Sequence, residues 1–139
     1  MTPPSHQLAL HGAIVLLIGL LCGAPYARAI KRDAAPSVQH AWRVAHASLP
    51  IGATLMFALA ALLPQLAMPS ALAWAIVWAL IVSGYAFAFA LPLGASTGQR
   101  GLQSSRQWLG QGVYLGNVVG AVTSLLAAVL LVIALLFCP

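Results

Sequence analysis

Acidic side chains are almost missing from this sequence. Its 139 residues contain six Lys and Arg but only one carboxylate, Asp33. A single carboxylate excludes acid–base catalysis by a carboxylate pair, and the near absence of charge excludes the membrane-embedded relay that proton-coupled carriers normally use. Six basic residues are also too few to indicate nucleic acid as a partner. Anionic lipid headgroups at a bilayer surface are the expected counter-charge.

Charge of either sign is absent from three long segments, residues 1–27, 44–99 and 107–139. The chain as a whole is 62% hydrophobic with a mean hydropathy of +0.98, which the surface of a water-soluble protein would not tolerate. Because a spanning helix needs about 20 apolar residues, the three segments have room for one, two and one helices. We therefore predict an all-α integral membrane protein, a four-transmembrane-helix bundle formed by a single domain, residues 1–139. The predicted helices cover about residues 8–27, 44–63, 71–91 and 113–137.

The basic residues are confined to two connecting segments, residues 28–43 and 92–112. The positive-inside rule predicts that both segments are cytoplasmic and both termini are outside, in the inner (cytoplasmic) membrane of a cell. A cleaved signal peptide is not expected, since residues 1–7 carry no Lys or Arg and the apolar run that follows is long enough to span. The two cysteines, Cys22 and Cys138, are placed near opposite faces by this topology, so we expect them not to pair.

His46 lies where a basic, water-exposed segment gives way to an apolar one. Pro50 follows four residues later and has no N–H, so the carbonyl of His46 loses its helical partner and the turn is predicted to kink. His11 enters the membrane from the opposite face, most of a roughly 30 Å core away, so the two histidines cannot share a metal. His46 is then either an interfacial histidine bonded to a carbonyl or headgroup, or the ligand of a haem.

Small residues recur every four positions along the last predicted helix, at Gly112, Gly116, Gly120 and Ser124. Such a ridge favours close helix association, either within the chain or between subunits.

Several short motifs carry a resemblance to a known family. Leu10-His11-Gly12, the run Leu16–Gly23, Ala45-His46 with Thr54 eight residues on, and Gly84-Tyr85-Ala86 resemble the small four-helix membrane isomerases. These are hydroxylaminobenzene mutase and, more distantly, styrene oxide isomerase. The resemblance spans nearly the whole chain.

This resemblance implies an enzyme that rearranges a small apolar aromatic substrate, an arylhydroxylamine or an epoxide, without a redox cosubstrate. It also implies a homo-oligomer, for instance a trimer. In the epoxide branch a ferric haem b, held by the histidine that matches His46, acts as Lewis acid on the substrate oxygen. The resemblance therefore makes His46 the expected ligand of the haem iron.

Two positions depart from the family pattern as we align it. The family has Asn six residues after the ligand histidine and another in the third helix, where this chain has Gly52 and Phe87. The tyrosine of the epoxide branch would fall near Leu91, so Tyr85 is the nearest candidate to orient the substrate. Asn117 could supply the missing polar group, although helix–helix hydrogen bonding explains it equally well. The alternative function is a non-catalytic scaffold or assembly subunit, without cofactor, in which His46 only caps the interface.

Overall fold

The computed structural model describes residues 2–99 and 107–137, and this part of the chain contains helices and no strand. Four of its helical segments are long and apolar enough to cross a membrane. The predicted all-α, four-transmembrane-helix architecture is confirmed. The α-helices are α1 (Pro3–Leu21), α2 (Gly23–Lys31), α3 (Pro36–Leu62), α4 (Ser70–Thr97) and α5 (Trp108–Phe137), and a short 3₁₀ turn, Leu63–Gln65, follows α3.

The first membrane span is formed by α1 and α2 together, with an interruption at Cys22. It begins at Pro3, and α3 likewise begins at Pro36, because proline's fixed φ and missing N–H suit the first turn of a helix. Both helices therefore start several residues before the predicted positions. As a result, most of the predicted loop 28–43 is helical, and only a short turn around Asp33 joins α2 to α3.

The third span runs through Pro92, where the sequence suggested an end, and continues to Thr97. A proline inside a membrane helix is tolerated because neighbouring groups can satisfy the freed carbonyl. Gly98, with a φ of 72°, then terminates α4 in the left-handed conformation. Residues 100–106, with Arg100 and Arg106, lie outside the described residues, as does Cys138; Cys22 is buried and free.

Close packing of α1 on α3 depends on Gly19. A Cβ atom placed on Gly19 would lie 2.5 Å from Pro50 Cδ and 2.8 Å from Leu49 Cβ, so only glycine fits there. This contact sets the two helix backbones side by side at the level of the proline.

The small-residue ridge of α5 packs on α4 within the same chain. A Cβ on Gly116 would lie 2.9 Å from Ala90 Cβ, and one on Gly120 would lie 2.8 Å from the Phe87 ring. Ser83 Oγ also donates a hydrogen bond of 2.8 Å to the Gly120 carbonyl. Of the two uses predicted for the ridge, helix association within the chain is the one observed.

A groove lies between α3 and α5, with α4 as its floor. Both helices pack against α4 but have little direct contact with each other. The groove contains a cavity of about 410 Å³ in the middle of the bundle and another of about 590 Å³ near the N-terminal end of α3. The rest of α5 exposes large apolar side chains, a surface that suits contact with lipid or with a second copy of the chain.

Candidate functional site

His46 lies on α3 one turn before Pro50, in a helix that continues past the proline. Proline has no N–H to offer the His46 carbonyl, so this turn lacks one backbone hydrogen bond. On the side of α3 that faces α1, the turn is held by the contact between Pro50 and Gly19. The backbone that displays the imidazole is therefore fixed by packing.

The imidazole of His46 is oriented by a backbone carbonyl. His46 Nδ1 lies 3.0 Å from the carbonyl oxygen of Gly19. A carbonyl can only accept, so Nδ1 carries the proton and donates it. The Gly19 carbonyl is in the last turn of α1, where helix carbonyls begin to lose their intrahelical partners. This hydrogen bond leaves Nε2 with its lone pair, which is the arrangement found in histidines that ligate metals.

The His46 ring is half-buried and lies against the junction of α1 and α2. A Cβ on Gly23 would lie only 3.0 Å from His46 Cε1, so this glycine makes room for the ring. The Tyr26 ring is a neighbour, with its centroid 6.3 Å from that of the imidazole. The interruption at Cys22 thus places a carbonyl, a glycine and an aromatic ring around His46.

The donor set at His46 suits haem better than a bare metal ion. No group of three His, Cys, Asp or Glu that could hold a metal ion occurs within residues 2–99 and 107–137. A haem needs only one such donor from the protein, because the porphyrin supplies the other ligands. An imidazole with a bonded Nδ1–H and a free Nε2 fits that requirement.

Tyr85 forms a hydrogen bond with His11. The Tyr85 hydroxyl lies 2.8 Å from His11 Nδ1, and the two rings meet edge to face. His11 is eight residues before Gly19, which His46 contacts, or about 12 Å along α1 at 1.5 Å per residue. The two histidines are therefore closer in depth than the predicted separation of most of the membrane core. Tyr85 is therefore at the level of His11, whereas the sequence led us to expect it near the level of His46.

The two groove cavities lie on the opposite side of α3 from His46. Ser37 lines the larger cavity and Leu55 the smaller one. Each is nine residues from His46, which is about 180° around a helix of 3.6 residues per turn. His46 lines neither cavity.

Asn117, the other predicted catalytic residue, lines the larger cavity. Within one chain the three predicted site residues therefore lie apart. His46 contacts α1 and α2, Tyr85 contacts His11, and Asn117 lines the larger cavity.

Both positions that depart from the family pattern line the smaller cavity. Gly52 on α3 and Phe87 on α4 line it together with mainly apolar side chains. A Cβ built on Gly52 would have no atom within 4 Å, so the absence of a side chain enlarges the cavity. The cavity is suited to an apolar ring.

Among the hydrogen-bonded pairs that sequence reasoning missed, two involve side chains of histidines. The pair between Arg43 and His40 has a spacing of three residues, which could have suggested it, since such neighbours meet on a helix. The Tyr85–His11 pair joins residues 74 positions apart, and no local pattern indicates it.

Comparison with known proteins bears on the whole chain. A family model described as styrene oxide isomerase matches residues 4–136. No curated protein and no solved structure gives a match. The family match includes all four spans and the turn that holds His46. This chain therefore belongs to the styrene oxide isomerase family.

Proposed function

We propose that this protein is a haem-dependent membrane isomerase that rearranges a small aromatic epoxide or arylhydroxylamine within one molecule. The observation that supports it best is the state of His46, whose Nδ1–H is bonded to the Gly19 carbonyl while Nε2 is left with a free lone pair. Membership of the styrene oxide isomerase family agrees with an isomerisation.

In this proposal His46 holds haem b. The bound ferric haem would supply an electron-poor centre that polarises the substrate's oxygen. The chain itself offers little acid–base chemistry, because its only carboxylate is Asp33, on the turn between α2 and α3. Its residues orient the ligand imidazole, through the Gly19 carbonyl.

The substrate's ring is proposed to bind in the smaller cavity, beside Gly52 and Phe87. His46 lines neither groove cavity and its ring lies against the junction of α1 and α2, so one chain does not bring the haem ligand and this cavity together. We infer a homo-oligomer, such as a trimer, in which His46 of one copy is brought to the groove of another. The exposed apolar face of α5 offers surface for such packing.

The activity test uses purified protein supplied with haem, given epoxides and arylhydroxylamines in parallel. We expect wild-type protein to isomerise one of the two substrate classes. His46→Ala should reduce that activity by at least about 100-fold, because a Lewis-acid metal contributes several kcal/mol to stabilising the transition state. Tyr85→Phe should leave both turnover and the haem spectrum in place, because the Tyr85 hydroxyl is bonded to His11 and Tyr85 lines neither cavity. A wild-type protein that is inert on both classes would favour the non-catalytic scaffold.

Mixing two variant subunits in the same assay tests whether the active site is shared between His46 of one copy and the groove of another. Gly52→Phe should fill the cavity without a backbone clash, because nothing lies within 4 Å of the Cβ position. Gly52→Phe and His46→Ala should each be inactive alone. Co-expressed, they should recover part of the activity, since mixed oligomers contain some sites with both parts intact. No recovery would contradict the shared site.

The same proposal places the protein in the inner membrane with residues 28–43 and 92–112 in the cytoplasm. All six Lys and Arg lie in these segments. A reporter fused after Pro139 that is active only outside the cytoplasm should therefore work. If a reporter that is active only in the cytoplasm works at that position, the orientation is the opposite of the one proposed.

A further inference from the structure

The larger groove cavity has a polar mouth and an apolar floor. It measures about 590 Å³ and is lined by residues of α3, α4, α5 and the turn after α4. Ser37 and His40 are at its outer end, whereas Val44, Leu91 and Val113 form part of its wall. The cavity is on the far side of α3 from His46 of the same chain, so it is separate from that chain's own proposed haem ligand.

Asn117 contributes an unpaired amide to this cavity. Its side chain is half-buried in a membrane-spanning helix and has no hydrogen-bond partner among the residues that the structure describes. No fully buried side-chain N or O atom in the described residues lacks a partner, so the Asn117 amide is open to the cavity rather than sealed in the core. A ligand that carries a hydrogen-bonding group could pair with it there.

His40 adds a second donor, and its protonation follows from its neighbour. Arg43 Nη2 lies 2.9 Å from His40 Nδ1. A guanidinium can only donate, so Nδ1 accepts and the ring proton is on Nε2. His40 therefore presents an N–H beside a fixed positive charge. The chain's only carboxylate, Asp33, is not among the lining residues. The cavity thus favours a ligand that accepts hydrogen bonds.

We propose that this cavity binds a small aromatic carbonyl compound, with its oxygen accepting hydrogen bonds from Asn117 and His40 and its ring against the apolar wall. The ligand class rests on the proposed function, since isomerising an epoxide yields a carbonyl product. In that reaction a C–O bond of the epoxide breaks, a hydrogen shifts with its electron pair to the neighbouring carbon, and the C=O bond forms. No co-reactant is needed. The cavity is then the site from which product leaves at the basic end of the bundle.

Acetophenone is the probe, and ethylbenzene, which lacks the oxygen, is its control. Binding is measured by ligand-observed NMR with protein in nanodiscs, against empty nanodiscs. The His46→Ala protein is used beside wild type, so that binding is observed without turnover. We expect saturable acetophenone binding to both proteins and none of ethylbenzene at this site.

Variants of the two donors locate the binding. Asn117→Leu and His40→Phe should each weaken acetophenone binding by about 2- to 10-fold, the loss of one net hydrogen bond. Thr123→Val is the matched control, because Thr123 is also on α5 but its hydroxyl bonds to the Val119 carbonyl. It should bind as wild type does. His40→Phe changes an exposed residue near the start of α3, so it tests the site even if the Asn117 variant is unstable.

Three results would overturn the inference: no saturable binding beyond partition into lipid, unchanged binding by both donor variants, or tighter binding of benzoate than of acetophenone. A failure of this inference can be distinguished from a failure of the proposed function. Binding that persists in His46→Ala while wild-type protein is inert on both substrate classes would reject the isomerase and support the cavity as a carbonyl site.

Discussion

His46→Ala protein should be colourless when wild-type protein, expressed with haem supplied, shows a Soret band. The substitution removes the Nε2 lone pair that would bind the iron. It also removes the hydrogen bond from Nδ1–H to the Gly19 carbonyl, which orients the imidazole ring. Losing an orienting partner alone typically lowers the affinity of a metal site 10- to 100-fold, so losing the ligand itself should reduce haem occupancy by more than about 100-fold. The measurement is Soret absorbance per mole of purified protein.

His11→Ala is the matched control for this prediction. His11 is also a half-buried histidine in the bundle, but its Nδ1 is paired with the Tyr85 hydroxyl and it lies about two turns of α1 or more from Gly19. The variant should keep its colour. A Soret band that survives in His46→Ala, or a colourless wild type despite added haem, would show that His46 does not hold haem.

Gly19→Ala should destabilise the bundle more than any other single-methyl change discussed above. The added methyl would lie 2.5 Å from Pro50 Cδ, inside van der Waals contact, and the proline ring cannot rotate away. Overpacking of this kind costs about 1–3 kcal/mol. Separation of α1 from α3 would also move the carbonyl that orients His46, so haem content should fall as well. The loss is measured from thermal unfolding in detergent.

Gly52→Ala is the control, since it adds the same methyl to a helical glycine with no atom within 4 Å of the new Cβ. Replacing a helix-interior glycine with alanine favours the helix by up to about 1 kcal/mol, so stability should stay equal or rise. Equal losses in Gly19→Ala and Gly52→Ala would mean that the contact between Gly19 and Pro50 does not set the packing of α1 on α3.

The fold could be predicted because it depends on hydropathy summed over long segments. Residues 44–99 contain no charge and are interrupted by Pro64 and Pro69, which is sufficient to define two spans. Helix ends were less predictable. The polar sequence from Pro36 to Arg43 looks like a loop, yet it is helical because it continues a helix already stabilised by the membrane segment.

The site could be predicted only in part, because it depends on how each helix is rotated about its axis. A helix such as α4 is apolar on all sides, so no stripe in its sequence indicates which face packs on which neighbour. That rotation pairs Tyr85 with His11 and turns Phe87 into the groove. The Gly19 carbonyl bond to His46 also depends on the approach of two helices and has no local signal.

The charged residues of the described chain are gathered at one end of the bundle. Arg28, Lys31, Arg32 and Asp33 lie on α2 and the turn after it, and Arg43 is near the start of α3. A membrane voltage does work only on charge that moves through its field, about 2.3 kcal/mol per elementary charge per 100 mV. The uncharged stretches of the four spans give the voltage nothing to act on. A rearrangement of the described spans would therefore move little side-chain charge through the field, and the membrane voltage should have little effect on it.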